Sequence, residues 1–169
     1  LNLSAQNVAS QQGKIQSGAK AKLKVNHLDN TEGTVYATEQ LQLNATGTLN
    51  NNKGVVAAEQ LADLKAGSVI NDAGQIRSQL DQLKLNVQNE LSNLAGEISA
   101  AKNTELTANK LSNQQGKVIA GTSLNATAQQ IDNTAGTLYA NDQLTLNVAD
   151  QLNNQSGTIA ANQQIQIQA

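Results

Sequence analysis

The chain has 169 residues, a formal net charge of −2, only two tyrosines and no Phe, Trp, Met, Cys or Pro. A compact core takes much of its buried area from aromatic side chains, so this composition favours a thin core of stacked aliphatic residues. The small net charge gives no long-range field for nucleic acid, and the lack of cysteine fits either the cytosol or a protein exported unfolded.

Eight glycines divide the chain into units of 20 to 22 residues, and the residues around each glycine recur. Leu, Ile or Val stands five residues before and two residues after each glycine, and Ala or Ser stands four residues after it. A register this regular predicts one structural unit stacked on copies of itself. The glycines are Gly13, Gly33, Gly54, Gly74, Gly96, Gly116, Gly136 and Gly157.

Each unit contains two short runs in which apolar or small residues alternate with polar ones. In the unit that begins at Gly33, Val35 and Ala37 form the first run, and residues 41–45 form the second. Alternation with a period of two is typical of a strand with one buried face. The polar residues between the runs, such as residues 38–40, are predicted to form corners.

Asparagine stands three residues before seven of the glycines, and Ser10 takes its place before the first. Asn can satisfy backbone groups in a corner, and it can form a ladder of amide hydrogen bonds when stacked on an equivalent Asn. The glycine is expected to provide the dihedral freedom to turn into the next strand. The predicted ladder consists of Asn30, Asn51, Asn71, Asn93, Asn113, Asn133 and Asn154.

Two or three short strands per unit predict an all-β fold, a parallel β-helix of about eight coils that lie about 4.8 Å apart. Its interior is expected to hold two rows of Leu, Ile or Val and one row of Ala or Ser. The signatures of leucine-rich repeats and of calcium-binding nonapeptide repeats are absent. Residues 1–169 are predicted to be a single repeat segment, an excerpt of a longer chain without caps of its own.

A helical alternative remains open for residues 80–110, because four leucines there could form one stripe of a helix: Leu80, Leu83, Leu91 and Leu94. Neighbouring units have no such stripe, and Leu91 also fits the strand register. This unit is the longest, with 22 residues, so a bulge of one or two residues would explain the irregularity equally well.

Candidate catalytic residues are few. His27, the only histidine, lies in a predicted corner, and nothing in the sequence places both a serine nucleophile and a carboxylate beside it. Asp29 and Asp132 share an offset but would lie about 24 Å apart, beyond the separation of about 10 Å in glycosidases. Asp63 and Asp81 lie in irregular neighbouring coils and could approach each other. We predict no catalytic, cofactor or metal site, and no enzyme.

Candidate binding residues lie on the outside of the predicted coils. Tyr36 and Tyr139 share an outward offset but are five coils apart, so they form no aromatic platform for a sugar. A group of lysines in the first coil could meet an anionic glycan or a lipid head group, although a solvated face is the simpler interpretation. These lysines are Lys14, Lys20, Lys22 and Lys24.

The form of the unit, as in residues 131–140 (IDNTAGTLYA) and 152–161 (LNNQSGTIAA), resembles the haemagglutinin repeats of filamentous haemagglutinin-type exoproteins. These include large adhesins and contact-dependent growth inhibition proteins of Gram-negative bacteria, and the resemblance covers the whole chain. It implies a right-handed β-helix, two-partner secretion through an outer-membrane transporter, and a place at the bacterial cell surface. The family's secretion domain carries Asn-Pro motifs, so the proline-free chain is not expected to contain it.

The resemblance leads to two functional hypotheses. The first is a structural stalk or filament that spaces a distal adhesive or toxic part from the cell. The alternative is an adhesin module that binds a receptor or glycan on a target cell through one face of the β-helix. The transporter is the expected partner in export, and neither a nucleic acid nor a membrane-spanning segment is expected. A polysaccharide-degrading enzyme would need clustered acids that the sequence does not show.

Overall fold

The computed structural model describes residues 1–169 and contains strands and turns but no helix. The all-β prediction is confirmed, and the helical alternative for residues 80–110 is wrong, because that stretch consists of strands and turns. The strands are β1 (Asn2–Ala9), β2 (Lys14–Ser17), β3 (Ala21–Asp29), β4 (Thr34–Ala37), β5 (Leu41–Asn50), β6 (Val55–Ala58), β7 (Ala62–Ile70), β8 (Gln75–Ser78), β9 (Leu83–Val87), β10 (Glu90–Ser92), β11 (Glu97–Ala100), β12 (Thr104–Ser112), β13 (Lys117–Ala120), β14 (Ser123–Asp132), β15 (Thr137–Ala140), β16 (Gln143–Asn153), β17 (Thr158–Ala161) and β18 (Gln164–Gln168).

The strands form two parallel sheets, so the chain winds as the predicted β-solenoid of about eight coils. Sheet A contains the long strands β1, β3, β5, β7, β12, β14, β16 and β18 together with β9 and β10, and sheet B contains the eight remaining short strands. Each strand pairs with the equivalent strand of the next coil. Leu23, for example, is aligned with Leu43, and Leu43 is aligned with Leu64. We number the coils by the glycine that opens each, so coil 1 begins at Gly13.

The core consists of rows of like residues that run along the axis. In sheet B, Val35 is aligned with Val56, and Val56 is aligned with Ile76. All three predicted rows are present, and sheet A adds the rows that contain Leu41, Leu43 and Ala45. The buried apolar residues form one cluster of 37 residues. Burying each Leu, Ile or Val side chain contributes about 1.5–3 kcal/mol, so stacking itself stabilises the fold.

The irregular coil 4 contains the predicted bulge. Its sheet A strand is interrupted at Gln88 and Asn89, which separate β9 from β10. A second extra residue lies in the corner between β8 and β9, where Leu80 is 64% exposed. The two extra residues are therefore accommodated outside the paired strands. The row that contains Leu85 and the separate row that contains Leu91 both continue without a gap.

The asparagine ladder is confirmed and is continuous from Asn30 to Asn154. The Nδ2 of each asparagine donates to the Oδ1 of the next, at 2.7–2.8 Å. The same Nδ2 also donates to the carbonyl oxygen of the glycine three residues later, at 3.2–3.3 Å. Six of the seven side chains are fully buried, and these bonds compensate for the water that each amide loses.

The predicted role of the glycines is wrong. None of them has a positive φ, and the left-handed residue in every turn is the one that precedes the glycine. Glycine is required by close approach instead. A Cβ on Gly54 would collide with the carbonyl oxygen of Asn30 and would lie 2.6 Å from Oδ1 of Asn51. The left-handed residues are Gln12, Glu32, Lys53, Ala73, Ala95, Gln115, Ala135 and Ser156.

The first position of the ladder leads to a prediction. Oδ1 of Asn30 is buried and has no hydrogen-bond partner, because Ser10 occupies the place of an asparagine in the preceding turn. We expect Ser10→Asn to supply the missing donor and to raise the free energy of unfolding by about 1 kcal/mol. Thermal unfolding measures this, and Ser10→Ala is the control. A midpoint for Ser10→Asn no higher than that of the parent chain would contradict the expected extension of the ladder.

Candidate functional site

The sequence predicted that His27 lies in a corner, but this residue lies within strand β3. Its Nδ1 accepts a hydrogen bond from the backbone N–H of Thr48, at 3.1 Å. The ring lies against Gly47, where a Cβ would come within 2.8 Å of Nδ1. These contacts occur where the register between β3 and β5 shifts. The imidazole therefore satisfies a backbone donor at an irregular point of the sheet.

Asp29 and Asp132 occupy equivalent corners and are bound in matching ways. The Thr31 hydroxyl donates to Asp29 at 2.6 Å, and the Thr134 hydroxyl donates to Asp132 at the same distance. These hydrogen bonds are the main reason that the pKa of each carboxyl lies below its usual value. A general acid needs a raised pKa, so neither carboxyl is prepared to donate a proton. Both carboxylates instead stabilise their corners by accepting these hydrogen bonds.

Asp63 and Asp81 are on different parts of coils 3 and 4. Asp63 lies on β7, aligned with Lys84 of the next coil, whereas Asp81 lies in the corner before β9. Asp81 forms a salt bridge with Lys102 at 3.1 Å. No group of three His, Cys, Asp or Glu residues in the chain could hold a metal ion. No helix is long and apolar enough to cross a membrane.

Tyr36 and Tyr139 both face outward from sheet B. The hydroxyl of Tyr139 accepts a hydrogen bond from Nδ2 of Asn162 at 3.1 Å. The pKa of Tyr36 is raised, mainly because its hydroxyl is partly withdrawn from water and secondly because the Glu59 carboxylate is its neighbour. The two rings lie five coils apart, which is about 24 Å, and the partner of each ring, Glu59 or Asn162, lies in a corner of the following coil.

The structure divides the lysines of the first coil. Lys14 faces outward from sheet B, whereas Lys22 and Lys24 face outward from sheet A. Lys65, which the sequence analysis missed, lies two strands from Lys24 in the same row, with Asn44 between them. Each of these three residues stands eleven positions after a glycine. Reading that offset across coils would have identified the row.

A groove on sheet A collects these side chains. Lys22 and Lys24 of β3 form one side, Lys65 of β7 forms the other, and Gln42 and Asn44 of β5 form the floor. The only carboxylate among the lining residues belongs to a residue of β7, Asp63. The three salt bridges of the chain involve other lysines: Lys84, Lys102 and Lys110. The groove lysines are thus exposed cations without an ion-pair partner.

Comparison with known proteins agrees with the fold. The haemagglutinin repeat family matches residues 1–53, 40–95 and 82–169, three overlapping segments that together span every residue. Neither the curated proteins nor the solved structures give a significant match. These matches together include all of the stacked coils. The chain therefore belongs to the haemagglutinin repeat family.

Proposed function

We propose that this segment is a rigid spacer in a secreted surface exoprotein, and that it separates a distal adhesive or toxic part from the bacterial cell. The observation that carries this proposal is the unbroken stacking of equivalent coils. The apolar rows and the asparagine ladder join each coil to the next, so the stretch is one continuous body. The repeated positions either face the core or turn the chain, which is what a rod requires.

Export follows from the same nearest-neighbour design. A coil contacts only the coils before and after it, so a rod can fold coil by coil as it leaves a transporter. The chain has no cysteine that could cross-link it before export. We therefore infer an outer-membrane transporter of the two-partner-secretion type as its partner, and the surface of a Gram-negative bacterium as its location. An enzymatic role is not part of this proposal.

Removing one whole coil from the full exoprotein tests the spacer. Deleting residues 93–112 joins Ser92 to Asn113 and keeps every row in register, so we expect normal surface display of a shorter rod. Deleting residues 93–102 removes half a coil and places core positions outside, so we expect display to be lost. Leu146→Asp places a charge in the core, so we expect it to abolish surface display as well. Asn147→Asp changes an exposed residue and should leave display normal.

Antibody labelling of the distal part on intact cells measures display in all four variants. Loss of display on whole-coil deletion would refute the spacer proposal, because a spacer tolerates a change of length. Normal display of the half-coil deletion or of Leu146→Asp would refute folding coupled to export. The alternative function, binding through one face of the solenoid, is independent of the spacer role and would use the groove of sheet A.

A further inference from the structure

The chain contains a duplication on a larger scale than the coil. Residues 8–66 correspond to residues 111–169, so coils 1–3 recur as coils 6–8. The corner networks recur with the sequence. Gln11 donates to Asp29 at 2.6 Å, and Gln114 donates to Asp132 at 2.7 Å. In the following coil of each copy, an asparagine, Asn50 or Asn153, donates to the threonine hydroxyl at 3.0 Å. The two copies therefore build the same corner from the same residues.

The second copy shows which residues of the groove the fold requires. It keeps the strands, the ladder and the corners but has no lysine at the groove positions. The counterparts of Lys22, Lys24 and Lys65 are Asn125, Thr127 and Gln168. These three counterparts occupy the corresponding places in β14 and β18 of sheet A. The lysines are thus not needed to form a coil, so the fold does not account for the positive charge of the groove.

The groove has a definite spacing of charge. Lys24 and Lys65 are separated by two strand spacings, which is about 10 Å along the axis. Asn44 lies between them and offers an amide that can both donate and accept hydrogen bonds. Gln42 occupies the corresponding place beside Lys22. A ligand along the row of Lys24 would meet a cation, a neutral amide and a second cation in turn, whereas the row of Lys22 and Gln42 ends at the carboxylate of Asp63.

We propose that this groove binds a linear anionic polysaccharide that lies along the axis of the rod. Sulfate or carboxylate groups would pair with the lysine ammonium groups, and sugar hydroxyls would bond with the amides between them. A nucleic acid is a poorer fit, because the groove has no aromatic side chain on which a base could stack. This inference rests on the binding alternative and not on the spacer role, which would stand if the groove bound nothing.

The duplication supplies the variants for the test. In the depleted variant, Lys22→Asn, Lys24→Thr and Lys65→Gln install residues that the second copy already uses at these places. The matched control removes three lysines outside the groove, Lys14→Thr, Lys53→Ser and Lys117→Thr, and changes the net charge equally. A third variant adds Asn125→Lys, Thr127→Lys and Gln168→Lys to the depleted chain. Thermal unfolding verifies that each variant is folded.

Calorimetric titration of residues 1–169 measures binding to polygalacturonate, dextran sulfate and neutral dextran, and sedimentation measures binding to phosphatidylglycerol vesicles. We expect saturable binding to one or both anionic polymers, weakened by added salt. The depleted variant should bind about tenfold more weakly or worse, the control should bind like the parent chain, and the third variant should regain binding. The proposal is overturned by equal weakening in the control and depleted variants, by equal binding of neutral dextran, or by binding to the vesicles alone.

Discussion

Gly116→Ala is expected to lower the free energy of unfolding by about 3 kcal/mol or more, because the new Cβ would overlap a neighbouring coil. That Cβ would collide with the carbonyl oxygen of Asn93 and would lie 2.6 Å from Oδ1 of Asn113. Both oxygens are parts of the ladder corner, and the first belongs to the backbone, so no change of rotamer can relieve the collision. Denaturant unfolding of the 169-residue chain measures the loss.

Gly18 provides the matched control for this prediction. It lies in a corner of coil 1, and a Cβ placed there would meet no atom within 4 Å. We expect Gly18→Ala to change the free energy of unfolding by less than about 0.5 kcal/mol. Equal effects of the two substitutions would contradict the requirement for close approach between coils at Gly116.

Asn93→Asp is expected to destabilise the chain by about 4 kcal/mol at neutral pH, since it buries a charge among acceptors. Asn93 is fully buried, and its Nδ2 donates to Asn113 Oδ1 at 2.7 Å and to the carbonyl oxygens of Gly96 and Lys117. A carboxylate has the same shape but no hydrogen to donate, so its oxygen would face three others. The loss should appear in denaturant unfolding as a lower midpoint.

The effect of this substitution should depend on pH in one direction. Burial among oxygen atoms disfavours the carboxylate and therefore raises the pKa of the new Asp in the folded state. A raised folded-state pKa means that the deficit is full above that pKa and shrinks as the pH falls through it. Asn86→Asp, on the exposed face of the same coil, is the control and should show neither effect. A deficit for Asn93→Asp that is constant with pH would contradict a buried carboxylate.

Much of the fold could be predicted because a solenoid repeats its constraints. A residue such as Leu91 recurs at a fixed offset from a glycine, and this regularity defines both the buried row and the strand that carries it. The role of glycine could not be predicted, because left-handed dihedrals and close approach both select a residue without a Cβ. Only the position of Asn93 in the preceding turn distinguishes the two requirements at Gly116.

The candidate site was less accessible to sequence reasoning than the fold. Lys14 and Lys24 are close in sequence, but the chain turns between them and places them on different sheets. Lys65 is far from Lys24 in sequence and near it in the rod, because coils bring together residues at equal offsets. His27 was misplaced for a related reason, since the bulge that it stabilises involves Thr48 of the next coil.

The asparagine ladder also has a direction. Every side-chain amide donates toward the coil that follows it, so the amide dipoles of Asn30 to Asn154 point the same way along the rod. A coil that has just folded therefore presents an open donor to the segment still arriving. Only an acceptor at the correct place completes it, and a segment displaced by one residue offers a side chain from the opposite face. The ladder therefore favours the correct register of each new coil as that coil is added.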